Sequence, residues 1–221
     1  MIFYSPYFII KNLQRKALKI YSGYLKGRVL DIGCGAKPYK KYLAASTEYI
    51  GMDESKEVVP DILGKSDKIP FADEYFDSIL CTELLEHLAE PQDTIKEIKR
   101  VLKKGGYLYL TVPQEWCLHY EPQDYFCFTK YGIKYLLEKN GLEVICAERI
   151  GGIFSLVGQR IIDVFWQLSV RAIKRVFGLN CAERVSSVLC LPFSLAFYLL
   201  GIVADNIDKS DALGWAVLAK K

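Results

Sequence analysis

The stretch Val29-Leu30-Asp31-Ile32-Gly33-Cys34-Gly35 constrains the fold of this chain more than any other. It reads as a buried strand that carries one carboxylate and opens into a glycine turn. In α/β proteins such a strand and Gly-x-Gly turn bring bare backbone against a nucleotide-like ligand. The rest of the chain keeps the same rhythm. Strands are expected at Glu48 to Asp53, Val58 to Leu63, Phe76 to Cys81, Tyr107 to Val112 and Leu142 to Ile150. Helices are expected around 38–45, 91–102 and 129–140, the last stopped by Asn140-Gly141. Strands alternating with helices imply an α/β fold with a mostly parallel sheet and right-handed crossovers.

A chain of 221 residues suits one such domain with an elaboration. The net charge of +3, with no run of like charges, argues against a nucleic-acid partner. Seven cysteines are scattered without a Cys-x-x-Cys pair, so neither a disulfide framework nor a metal site is expected. Free thiols fit a reducing cytoplasm. The segment 1–27 lacks the pattern of a secretory signal, its apolar stretch being broken by Ser5 and Pro6. Ile9, Ile10, Leu13, Ala17, Leu18, Tyr21 and Leu25 instead recur at helical spacing.

The residues around the turn narrow the ligand. A dinucleotide site wants a third glycine where this chain has Pro38, and no Gly-Lys-Ser/Thr ending marks a phosphate loop. Asp31 would repel a pyrophosphate but suits a ligand that carries an amine. Asp53 ends the second strand about twenty residues beyond the turn, where a carboxylate can take both ribose hydroxyls.

At this point the chain resembles the class I S-adenosylmethionine-dependent methyltransferases. VLDIGCG matches their first motif and YIGMDES their ribose-binding strand end. IPFADEYFDSILCTELLEHL resembles the segment spanning the cofactor loop, strand four and the helix after it, and RVLKKGGYLYLTVP resembles the entry to strand five. The four segments lie in family order across about residues 25–150. The resemblance implies a Rossmann-like, seven-stranded, mostly parallel sheet with helices on both faces. The last strand, 212–220, would be antiparallel, with a helical insertion at 152–206 before it. It also implies S-adenosylmethionine as cofactor: Gly33, Cys34 and Gly35 along the methionine moiety, Asp31 near its amine and Asp53 on the ribose. Ser66 and Asp67 would lie by the adenine, where relatives carry an acid and this chain has Lys65. Thr82 and Glu83 would flank the sulfonium.

After strand five, residues 113–129 are rich in Trp, Tyr and Phe and should border the acceptor pocket. They resemble the H-x-x-P-x-D-Y-x-R-x-T stretch of methyltransferases of surface-glycan and lipid-linked sugar biosynthesis, with Cys127 at the usual arginine. Trp116, His119, Asp124 and Tyr125 are the expected substrate contacts. His119 and His87, the only two histidines, are candidates for deprotonating an acceptor hydroxyl. Thr129 reads as the N-cap of the helix at 129–140. The expected activity is O-methylation of a small or lipid-linked acceptor, such as a sugar of a surface polysaccharide. A non-catalytic binding protein or a membrane-associated scaffold is the alternative.

Residues 152–206 are strongly apolar and hold two helical patterns. Arg160, Asp163, Gln167, Arg171 and Lys174 form one narrow polar stripe on the first, and Val185 to Ala204 carries no charge. If 212–220 returns to the same sheet, the chain cannot end its crossing on the far side of a bilayer, so a full span is set aside. Three readings stay open: a helical cap, an element in the interface of the inner face of the cytoplasmic membrane, or a homodimer interface. Arg160, Arg171, Lys174, Arg175 and Arg184 against Asp163 and Glu183 favour anionic lipid.

Overall fold

The computed structural model describes residues 6–43, 46–177 and 181–221. The chain divides into two compact units, Arg15–Glu148 with Gly214–Lys221, and Met1–Gln14 with Arg149–Leu213.

A seven-stranded sheet is built from β1 (Gly27–Ile32), β2 (Ser46–Asp53), β3 (Ile62–Leu63), β4 (Phe76–Thr82), β5 (Leu102–Pro113), β6 (Glu143–Ile150) and β7 (Gly214–Lys220). Their order is β3-β2-β1-β4-β5-β7-β6. The pairs from β3 to β5 are parallel, and β7 runs antiparallel to β5. The expected fold class is therefore met. Val29 and Leu30 point to opposite faces of β1 and neither is exposed, as is true of Ile79 and Leu80 on β4. Both faces of the sheet centre are covered, which is why these strands read as continuous apolar runs rather than as alternation.

Helix α1 (Phe8–Tyr21) precedes the sheet; α2 (Pro91–Val101) and α3 (Lys130–Lys139) connect its strands. Pro91 opens α2, where its missing N–H costs nothing, and Ile95, Ile98 and Val101 are buried at helical spacing. The Thr129 side chain accepts the Gly132 N–H at 3.0 Å and caps α3. Three expectations are corrected. The helix around 38–45 is a single 3-10 turn, Lys40–Tyr42, with residues 44 and 45 outside the described range. Lys37 at φ +55° and Pro38 leave too few residues to propagate a regular helix. The third strand is only Ile62–Leu63. Strand five begins at Leu102, because Gly106 lets the chain press against β4: a Cβ there would lie 2.9 Å from the Asp77 carbonyl oxygen.

In the other unit α4 (Ile153–Phe177) and α5 (Ala182–Ala204) form an antiparallel hairpin. Helix α5 continues through Pro192 and Gly201. The helices approach at glycines: a Cβ on Gly158 would lie 2.6 Å from the Phe197 Cβ. Asp205, just past α5, accepts the N–H groups of Gly152, Phe154 and Ser155 at 2.9, 2.9 and 3.1 Å. A carboxylate thereby caps the start of α4, where free N–H groups and the helix dipole favour negative charge. Asp163 belongs to the hairpin interior, not to a solvated stripe, and Gln159 donates to it at 2.8 Å.

Candidate functional site

Strand order reverses at β1, with β2 and β3 on one side and β4 and β5 on the other. Ligands of open α/β sheets bind beyond the carboxyl ends of the strands at such a reversal. The register aligns Ile32 with Met52 and with Cys81, so the ends of β1, β2 and β4 make one rim.

Gly33 and Gly35 take φ of +68° and +49°. A Cβ on Gly33 would come 3.1 Å from the Leu84 side chain, so glycine is needed for both conformation and closeness. The Gly33 and Cys34 N–H groups donate to the Met52 carbonyl at 2.9 and 3.1 Å, which ties the turn to the end of β2. The Gly35 N–H donates to Asp53 Oδ2 at 3.0 Å, and the Ser55 N–H to Oδ1 at 2.9 Å. Asp53 is thus fixed in orientation, and each carboxylate oxygen keeps a further lone pair for an incoming hydroxyl. The Cys34 thiol is pushed up to about 12 by burial, which makes it an inert packing group.

Asp31 is buried, and the Tyr49 hydroxyl donates to its Oδ2 at 2.5 Å. Its Oδ1 has no partner in the protein. Burial raises its pKa to about 7, opposed by the Tyr49 hydrogen bond and assisted by the charge of Asp53. A buried carboxylate with one oxygen open is suited to an ammonium donor. Tyr49 was missed by the sequence reading. Its signal was position, since Tyr49, Gly51 and Asp53 share one face of β2. Lys37 and Asp61 were missed as well. They pair at 2.7 Å, and the Gly51 N–H donates to the same carboxylate at 2.7 Å. The lysine hydrogen bond is the main reason the Asp61 pKa is lowered.

The other expected residues divide. Ser66 bonds Thr94 on α2 at 2.8 Å, whereas Asp67 and Lys65 are exposed. Thr82 ends β4, and Glu83, at φ +49°, donates its N–H to the Thr111 carbonyl at 3.0 Å. There the chain leaves the sheet and enters a 3-10 turn, Leu85–His87.

Against that turn lies the loop after β5. The Tyr125 and Phe126 N–H groups donate to the Glu86 carbonyl at 2.9 and 3.2 Å. The His87 and His119 rings meet edge-on at 4.7 Å, so two histidines 32 positions apart share one site. Asp124 Oδ2 lies 2.8 Å from the His119 N–H and 3.2 Å from its Nδ1. Trp116 is half-buried in this loop, and the Tyr125 side chain is exposed. The missed member of the cluster is Glu86, which burial pushes well up in pKa, with the charges of Glu83 and Asp124 adding to the effect. A separate cavity of about 360 Å³, lined by Gly27, Asp77, Lys103 and Tyr107 among others, sits at the amino ends of β1 and β4. It holds none of the expected residues.

Comparison with known proteins bears on this arrangement. Residues 30–110 match the family model described as a methyltransferase domain. An uncharacterised protein of Methanocaldococcus jannaschii is 37% identical over 95 residues, covering 39% of this chain and 45% of the relative. A ubiquinone biosynthesis O-methyltransferase of Alkalilimnicola ehrlichii is 29% identical over 133 residues, covering 52% of this chain and 51% of that protein. The chain thus spans about half the length of these curated relatives. The crystal structure of an S-adenosylmethionine-dependent methyltransferase from Archaeoglobus fulgidus superposes with a TM-score of 0.62 at 16% identity. It covers 96% of this chain and 94% of that one, a likeness of fold.

Proposed function

We propose that this chain, whose residues 30–110 match a methyltransferase domain, uses S-adenosylmethionine to methylate a hydroxyl of a small or lipid-linked acceptor. The observation that carries this reading is the rim at the strand-order reversal. Asp31, with an open buried oxygen, would take the cofactor's ammonium, and Asp53, oriented by Gly35 and Ser55, its ribose hydroxyls. Gly33, Cys34 and Gly35 would follow the methionine chain, Ser66 and Asp67 would lie towards the adenine, and Thr82 and Glu83 would border the sulfonium.

The acceptor would lie between the 3-10 turn after β4 and the aromatic loop 113–129. Its oxygen attacks the methyl carbon in line with the sulfur, and the carbon–sulfur bond breaks with its electron pair passing to sulfur. The sulfonium becomes a neutral thioether, and the hydroxyl proton passes to water beside the His87–His119 cluster. Holding both reactants in line supplies much of the acceleration. Trp116 and Tyr125 would wall the acceptor, with His119 and Asp124 at its hydroxyl. The relative named as an O-methyltransferase supports oxygen as the target. The likeness of 119–129 to surface-glycan and lipid-linked sugar enzymes supports a sugar.

The hairpin supports the lipid-linked form of that acceptor. Helix Ala182–Ala204 is long and apolar enough to cross a membrane by length and composition. Phe165, Leu168, Phe193, Leu199 and Val203 are exposed, while Arg171, Lys174, Arg175 and Arg184 cluster near the hairpin's turn. An apolar exterior beside basic residues suits an anionic membrane surface, here the inner face of the cytoplasmic membrane.

Calorimetric titration with S-adenosylmethionine and its demethylated product tests the cofactor. Micromolar binding is expected, and folded protein that binds neither at hundreds of micromolar ends the reading. Labelled cofactor added to fractionated cell extract then asks for the acceptor. Label recovered in the lipid-linked sugar fraction is the expected result, and label confined to protein or nucleic acid would refute the assignment.

A further inference from the structure

Glu86 is fully buried, yet neither of its carboxylate oxygens has a hydrogen-bond partner. A buried, unpaired carboxylate is costly unless it is protonated or meets a cation. Among the described residues no lysine or arginine pairs with it. Among the described residues, the one charged-type neighbour within ion-pair reach is His87, whose Nε2 lies 3.9 Å from Oε1. The charges acting on Glu86 from Glu83 and Asp124 are negative, so the pocket as built attracts a cation.

Both imidazoles have Nδ1 held by an acceptor, and His87 Nε2 faces this carboxylate. His87 Nδ1 lies 2.6 Å from the Gln123 carbonyl oxygen. A carbonyl only accepts, so Nδ1 carries the proton and Nε2 does not. His119 Nδ1 lies 3.2 Å from both Asp124 Oδ2 and the Cys117 carbonyl oxygen, two acceptors again, so the neutral ring carries its proton on Nδ1 and keeps the Nε2 lone pair for a ligand. A histidine whose far N–H is held by a carboxylate or a backbone carbonyl is the arrangement that orients metal-binding imidazoles. One ligand atom each from Glu86, His87 and His119 lies within 4.8 Å of the others. Donors bound at about 2.0–2.1 Å in a tetrahedral site stand about 3.4 Å apart, so shifts of about 1 Å in each side chain close the set.

We propose that Glu86, His87 and His119 bind one divalent cation of the zinc and cobalt class, with Asp124 and the Gln123 carbonyl holding the imidazoles from behind. Two nitrogens and one carboxylate favour such cations over magnesium, which prefers oxygen. Three protein ligands leave a position open. On the methyl-transfer reading, that position takes the acceptor hydroxyl, and the cation makes it a stronger acid, so that its proton passes to water. The sequence reading expected no metal because it weighed cysteines. Here His119 arrives from a loop distant in sequence from Glu86 and His87.

The test uses the whole chain stripped by a chelator and titrated calorimetrically with Zn²⁺, with Co²⁺ followed by its ligand-field absorption and Mg²⁺ as control. One Zn²⁺ or Co²⁺ per chain is expected. Glu86→Gln and His119→Gln should each weaken binding about 100-fold or more, and Asp124→Asn about 10- to 100-fold. His119 lies on a half-exposed loop, so His119→Gln decides the matter if Glu86→Gln fails to fold. Wild-type protein that binds neither Zn²⁺ nor Co²⁺ at millimolar concentration, binds Mg²⁺ alone, or binds as tightly after His119→Gln overturns the proposal. S-adenosylmethionine is titrated in parallel. Cation binding without cofactor binding removes the methyl-transfer reading and keeps this site; cofactor binding without cation binding does the reverse.

Discussion

In β1 and β4 the side chains without exposure are Val29, Leu30, Phe76, Ile79 and Leu80, with Ser78 the one polar residue among them. In the α4–α5 hairpin they include Ser155, Gln159 and Ser186, while Phe193, Leu199 and Val203 stand outside at 54, 52 and 78% exposure. The sheet unit is organised by the removal of apolar surface from water. The hairpin interior is instead built from small residues that let backbones approach, as at Gly158 and Gly201. Side-chain hydrogen bonds join them: Trp166 donates to Ser187 at 3.0 Å, and the Ser155 hydroxyl to Asp205 at 2.5 Å. Helices that pack in lipid use these devices, because lipid offers no hydrophobic drive between apolar faces. One chain thus carries two packing patterns.

The largest effect that separates them is a matched pair of truncations. Leu80→Ala should destabilise the protein by about 3 kcal/mol, the usual range for a filled core position, whereas Val203→Ser should change stability by less than about 0.5 kcal/mol. Denaturant midpoints check both, and comparable losses would break the contrast. Next comes the membrane itself. Phe193→Ser with Leu199→Ser and Val203→Ser should reduce cosedimentation with anionic vesicles at least tenfold, because each side chain forfeits apolar burial of about 1.5–3 kcal/mol. If wild-type protein stays in the supernatant, the exterior meets no lipid, and a dimer on analytical ultracentrifugation would assign it to self-association.

The rim gives a pH signature. With its pKa raised to about 7, Asp31 is largely neutral below that pH and must ionise to hold an ammonium. Apparent affinity for S-adenosylmethionine should therefore strengthen, by up to about tenfold per pH unit, as pH rises towards 7, and then level off. Asp31→Asn should flatten the profile and weaken binding at pH 8 by about 10- to 100-fold. The stability effect has the opposite sign. The folded state holds this proton more tightly than the unfolded chain, so the fold loses stability as pH rises through that window, and Asp31→Asn abolishes the loss. The smallest effect is at Thr129, where Thr129→Ala should cost about 1 kcal/mol through loss of the α3 cap, read from thermal unfolding.

Legibility followed locality. The glycine turn and Asp53 could be read because a strand and its turn are contiguous in sequence and Gly-x-Gly has few uses. Thr129 could be read as a cap for the same reason. Tyr49 was invisible because its role depends on facing Asp31 across two paired strands. Glu86 was passed over as one charge in the apolar run Leu84-Leu85-Glu86-His87-Leu88; only the loop folding over it buries it. Asp163 reads in sequence only as part of a polar stripe, because helical periodicity reports a face without saying whether water, lipid or another helix lies beyond it.

Hydrophobic patterning, the Gly-x-Gly turn and the strand-end carboxylates sufficed to determine the sheet, its class and the rim at its strand ends, since all are encoded within a few residues of one another. Tertiary structure alone decided that His87 and His119 meet, that Glu86 is buried without a partner between Glu83 and Asp124, and that the hairpin turns its apolar side outward. Those outcomes depend on which segments come together through space. The free energy of a carboxylate or a leucine is set by the medium that the assembled neighbours leave around it.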